Sequence, residues 1–243
     1  MINELLLAFC GVFVGIIAVV LGGANFWAIP VFQILFPGLG YGVLVGNLKV
    51  GSVWRGVASS ITTWRQISLK RVLWISILMA VGTLVGASVT SKLDQRWILA
   101  GVILAAIVCE FAEWFSKRAT PAHFTVGAIL IGAWYGFFGA GFGILVVSLM
   151  RVRISDDSKI AEVKSDARVI ELFLSIVAVI AHFASGNIVN SLWIPWSVGS
   201  VIGGFIGGAM LNRLGKVPAS VQKTVLRISY LLAIAVCFFT RDF

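Results

Sequence analysis

Residues 11–30 read GVFVGIIAVVLGGANFWAIP and residues 132–143 read GAWYGFFGAGFG; slid over one another by 121 positions, their glycines coincide. Gly11 falls on Gly132, Gly15 on Gly136 and Gly22 on Gly143. The same shift lays Gly82 on Gly203, Gly86 on Gly207, Lys92 on Arg213 and Leu93 on Leu214. Twice 121 accounts for nearly all of the 243 residues, so the reading is one integral membrane domain built from two repeats, 1–121 and 122–243.

Composition fixes the solvent. Hydrophobic residues make up 59% of the chain and charged residues 12%, about half the charged share of a soluble domain. Mean hydropathy is +1.01, and no charge occurs between Leu5 and Leu48. Such a stretch needs lipid around it, and without alternating short strands the spans are helices, which satisfy their own backbone. The fold class is therefore all-α, a polytopic membrane protein. The net charge of +9 does not point to nucleic acid, because most cations punctuate the ends of apolar blocks, where they anchor helices at the lipid headgroups. Cys10, Cys109 and Cys237 lie far apart in apolar runs, and His123 and His182 are isolated. No metal site and no cofactor is expected from them. Met1 to Glu4 has no basic start, and Leu5 to Leu21 reads as a retained first span.

Hydropathy yields four blocks per half: Leu5 to Phe36, Tyr41 to Trp64, Arg71 to Leu93 and Trp97 to Phe115, then Thr125 to Met150, Ile160 to Ala184, Leu192 to Leu214 and Val221 to Phe239. That is about eight transmembrane helices, with residues 116–124 as the seam between halves. The opening block has 32 residues, roughly 48 Å of helix against a hydrocarbon core of about 30 Å. It must break, tilt or fold back, with Gly22 and Gly23 as the breakpoint; Gly139, Gly141 and Gly143 repeat the signal in the second half. Paired interruptions of this kind mark discontinuous helices around a transporter's binding site. If the broken blocks fold back, the repeats can be inverted rather than parallel. Counted over eight crossings, loop cations favour a multi-pass protein of the inner (plasma) membrane with its termini outside.

Chemistry concentrates in the second block of each half. Lys49, Ser52, Arg55 and Ser59 recur every three or four residues, on one helix face, with Asn47 beside them. Cations at membrane depth are costly without a partner or a wet cavity. The nearest carboxylates along the chain are Glu4 and Asp94, so an anion is the attractive partner; the rival reading has Arg55 snorkelling and Lys49 on backbone carbonyls. The matching block holds Lys164, Ser165, Asp166, Arg168, Glu171 and Ser175. Arg168 reads as a substrate or gating contact, or as one half of an ion pair with Glu171, which is also the candidate proton-coupling site. Helices restarting after Gly22-Gly23 or Gly141-x-Gly143 expose unpaired N–H groups suited to sulfonate, carboxylate or phosphate oxygens, and Asn25 adds a donor.

The pattern resembles the TauE/SafE-like sulfite exporter family of anion permeases. Each half of that family opens with G-x-x-x-G, apolar residues, a glycine triplet and then a proline, matched here by Gly11-x-x-x-Gly15, Gly22-Gly23 and Pro30. Gly132-x-x-x-Gly136 and Gly139-Ala140-Gly141-Phe142-Gly143 match it in the second half. The small and polar helices that follow are Val45 to Lys49 and Lys164 to Arg168, and glycine-spaced helices come after them at Gly82 and Gly203. Ala24 replaces the third glycine of the first run, and Arg151 stands where the second proline belongs. The resemblance implies a duplicated eight-helix carrier of sulfite, sulfoacetate, other sulfonates or small carboxylates.

The function read from the sequence is a secondary transporter of small sulfur-containing or organic anions, working by alternating access between two repeats, driven by a proton, sodium or substrate gradient. Its substrate-binding candidates are Gly22, Gly23, Asn25, Asn47, Lys49, Ser52, Arg55, Gly141, Gly143 and Arg168, with Glu171 for coupling. No G-x-x-x-x-G-K-[ST] occurs to bind ATP. Two alternatives are a membrane-embedded enzyme acting on an anionic lipid and a non-transporting subunit. The enzyme lacks clustered carboxylates or a nucleophile–histidine pair, and the subunit leaves Lys49 and Arg55 without a purpose.

Overall fold

In a computed structural model the chain is helical, with no strand among the described residues, which are 2–20, 22–94, 96–118, 120, 123–152, 154, 160–214 and 219–240. Arg153, Lys159, Lys216 and part of the 116–124 seam lie outside them. The helices are α1 (Ile2–Val20), α2 (Ala24–Leu35), α3 (Tyr41–Thr63), α4 (Leu69–Thr90), α5 (Trp97–Arg118), α6 (Phe124–Phe137), α7 (Phe142–Arg151), α8 (Ile160–Ala184), α9 (Asn190–Leu214) and α10 (Ala219–Thr240). Among the described residues four helices are long and apolar enough to cross a membrane: α1, α4, α8 over Glu162–Ala184 and α9 over Asn190–Met210.

Each opening block of the sequence is two helices, so the eight blocks become ten. Gly22 and Gly23 take φ of +86° and +71°, and Gly139 and Gly141 take +77° and +72°. Only glycine enters that region cheaply, and the helix cannot continue through it. After the break the chain folds back. Asn3 Nδ2 at the start of α1 reaches the carbonyl of Leu35 at the end of α2, and Phe13 meets Trp27 with ring centroids 6.2 Å apart. In the second pair Leu149 lies over Gly127.

Displaced by 121 residues, α1 to α5 overlie α6 to α10 to within a few residues at most ends. The packing obeys the same displacement, but across the two stretches rather than within them. α1 packs mainly on α9, and α4 on α6. Gly199 sits against Ala8, Gly203 against Val12 and Gly207 against Ile16; correspondingly, Gly82 sits against Ile129, Gly86 against Ala133 and Gly132 against Met79. Small residues let these backbones touch, which replaces the hydrophobic drive that lipid removes. Both pairs run parallel. Because α1–α2 is a hairpin, α4 runs opposite to α1, so α6, which runs with α4, also opposes α1. The helices after residue 123 therefore run opposite to their counterparts before it. α3 and α8 lie side by side, antiparallel, between the two glycine-packed pairs.

Candidate functional site

The N-termini of α2 and α7 open onto one interior pocket, each entered through a left-handed glycine, Gly23 or Gly141. First-turn N–H groups have no intrahelical acceptor and carry the positive end of the helix dipole. Gly23, Ala24 and Asn25 line the pocket from one side, and Gly139, Phe142 and Gly143 from the other. Asn25 Nδ2 ties the breaks together by donating to the carbonyl of Phe138 at 2.6 Å.

The α3–α8 seam supplies the charges. Arg55 Nη2 donates to Glu171 Oε1 at 2.7 Å and to Ser52 Oγ at 3.0 Å. Arg168 Nη1 reaches the other carboxylate oxygen at 3.1 Å, while its Nη2 donates to the carbonyl of Val19, next to the first break, at 2.9 Å. Glu171 is thus bracketed by two guanidinium groups from different helices. Lys49 is 1% exposed; its ammonium donates to the carbonyl of Tyr135 at 2.5 Å and lies 3.3 Å from the centre of that ring. Two guanidinium groups share one carboxylate, the Lys49 ammonium lines the same pocket, and two helix N-termini add further positive potential. About 10 Å³ of the pocket is free, the space of a single water.

Gly23, Asn25, Lys49, Ser52, Gly143, Arg168 and Glu171 line the pocket together. Arg55 stands one bond behind through Ser52 and Glu171, and Gly22 and Gly141 shape the breaks without lining it. The partner of Arg55 corrects the sequence argument: it is Glu171, 116 residues away, and the chain brings it in by packing α8 on α3. Asn47 turns elsewhere, with Nδ2 donating to the carbonyls of Val43 and Asn187 and Oδ1 accepting the N–H of Val189. Asp166 is fully buried and, at the end of the bundle, accepts from the Ser68 N–H and the Arg71 guanidinium. Tyr135, missed in the sequence, forms the pocket wall opposite Lys49, its hydroxyl 2.5 Å from Ser175 Oγ. Its signal was scarcity, since the chain has three tyrosines and all are buried.

A family model, sulfite exporter TauE/SafE, matches residues 7–238. The chain belongs to the TauE/SafE family. Membership makes it a membrane anion transporter, the role that a cationic pocket at two helix breaks suits. No curated protein and no solved structure matches the chain.

Proposed function

We propose that the chain is a secondary carrier of small sulfur-containing or organic anions, such as sulfite, a sulfonate, sulfoacetate or a small carboxylate, in the plasma membrane. The observation that carries this reading is the convergence of Lys49, Arg55 and Arg168 with the N-termini of α2 and α7 around a single carboxylate. In the closed state Glu171 neutralises the two arginines. An arriving anion competes for them, and the released carboxylate is placed to take up a proton, which would couple the two movements.

The duplicated sequence and the inverted helix directions support two membrane repeats, 1–121 and 122–243, of inverted topology. Since α1 packs on α9 and α6 on α4, alternating access moves mixed units: α1, α2, α9 and α10 against α4, α5, α6 and α7, with α3 and α8 at the seam. The fold-back also sharpens the orientation. Arg65, Lys70, Arg71, Arg118, Arg151 and Lys164 fall at one end of the bundle, Lys92 and Arg96 at the other. Positive residues stay in the cytoplasm, so the start of α1 and the end of α10 face outward.

A thermal-shift series on the purified protein tests the carrier. Sulfite, sulfonates and carboxylates should raise the melting temperature with concentration, as selective binding to the folded state requires, and matched neutral solutes should not. Equal responses to charged and neutral solutes overturn the reading.

A further inference from the structure

His182 is 0% exposed, and neither ring nitrogen has a hydrogen-bond partner. A neutral imidazole carries one donor and one acceptor, and leaving both buried and unmatched is costly. An unmatched buried group calls for an explanation, and use in another state of the molecule is one.

Its surroundings say what that use is. Glu171, Ser175, Ala178 and His182 follow spacings of four, three and four along α8, a single stripe facing α3. The Glu171 end of the stripe meets Arg55; Ser175 meets Tyr135, the wall of the pocket; and the His182 ring lies against Gly46. Along α3, Gly42, Gly46 and Lys49 share one face, and Lys49 lies within electrostatic reach of His182. Gly42 touches Asn187 and Ser91 at the end of the bundle where α1 starts. The two glycines let α8 close on α3 there, and His182 is the polar group caught in the closed seam.

We propose that His182 is an anion contact on the outer route to the pocket: when the α3–α8 seam opens beside Gly42 and Gly46, its ring N–H donates to a sulfonate- or carboxylate-type oxygen before Lys49 receives it. This rests on the carrier reading, and it adds the path and a residue outside the pocket lining.

The test uses the full chain in proteoliposomes, with sulfite as the probe. H182A should weaken the apparent affinity for external sulfite about tenfold, the loss of one hydrogen bond to an ion, whereas H182Q, which keeps a donor, should retain it. Folded yield of each variant is read by size-exclusion chromatography. In a C10A, C109A and C237A background, H182C should react with a charged, membrane-impermeant thiol reagent added from the α1-start side, and sulfite should slow that reaction. Wild-type sulfite uptake with no labelling of H182C, or with H182A indistinguishable from wild type, overturns the inference and leaves the carrier standing. Labelling of H182C with no wild-type response to any anion overturns the carrier and, with it, the anion role of His182. Unlike simple loss of packing, protection by sulfite and rescue by glutamine report on contact with the passing ion.

Discussion

Asn47 Oδ1 on α3 accepts the backbone N–H of Val189, just ahead of α9, at 3.0 Å. Displaced by 121 residues, Val189 becomes Ser68, just ahead of α4, and its N–H is accepted by Asp166 Oδ1 on α8 at 2.8 Å. Each central helix therefore caps, from outside, the helix that follows its counterpart. The two clasps sit at opposite ends of the bundle, one beside Gly42 and Asn187, the other beside Gln66 and Arg71. Under the proposed alternating access each end needs a separable hold, and the two clasps are placed to provide one each.

Removing either clasp should loosen one end alone. N47A and D166A each leave an uncapped N–H, a loss of about 1–2 kcal/mol, with D166A the more damaging because Arg71 also loses the nearer of its two carboxylates, Glu162 being the other. Thermal denaturation measures the loss. Hydrogen exchange should rise at residues 185–192 in N47A and at 64–72 in D166A, and a rise at both ends in either variant would contradict independent clasps.

Glu171 holds two arginines that would otherwise repel. E171Q should destabilise the protein by about 3 kcal/mol in anion-free buffer, since it breaks a buried pair by removing one partner. Sulfite should recover more melting temperature in E171Q than in wild type, because the competing carboxylate is gone. A smaller recovery in E171Q would show that Glu171 assists binding instead of opposing it.

Lys49 approaches Gly139, where an added Cβ would collide with the ammonium and φ is +77°. K49Q should keep its folded yield and lose most of its anion-induced stabilisation, whereas G139A should lose both. The comparison is read by parallel thermal shifts.

Glycine contacts between the parallel helix pairs set a second limit. A Cβ at Gly207 would stand 2.9 Å from the Val19 Cβ, and one at Gly86 would press into the Ala133 carbonyl. G86V and G207V should each cost about 1–3 kcal/mol or prevent folding, through overpacking. G40A, with nothing within 4 Å of its new methyl, should be neutral in the same denaturation series.

Lys70 and Lys92 are both exposed and lie at opposite ends of the bundle. In a cysteine-free background K92C should label from outside intact cells and K70C only after the membrane is permeabilised. The reverse pattern would invert the assigned orientation.

Much of this was legible in the residues because glycine leaves direct marks. Glycine pairs at a shift of 121 marked the breaks, and the three-and-four spacing of Lys49, Ser52, Arg55 and Ser59 marked one face of α3. Arg168 and Glu171, three apart, form the expected pair. What escaped was set by tertiary packing. Nothing local tells that α2 returns along α1, and a length argument only requires the block to bend. Nor does sequence distance report the Arg55–Glu171 contact, which arises from α8 lying antiparallel to α3. Asn47 looked like a member of the cationic strip, but its amide suits the loop carbonyl and N–H that α8 and α9 present to it. The second break also comes about three residues earlier than strict displacement predicts, because Gly139 and Gly141, rather than Gly143, take the left-handed conformation.

The cross-pairing of α1 with α9 bears on how the protein is made. When the first hairpin emerges from the ribosome, its glycine-lined partner is most of a chain away from synthesis, so the hairpin must wait in lipid or in the insertion machinery with its flat face uncovered. α6, by contrast, finds α4 already in place. Biogenesis is therefore lopsided even though the finished architecture is nearly symmetric.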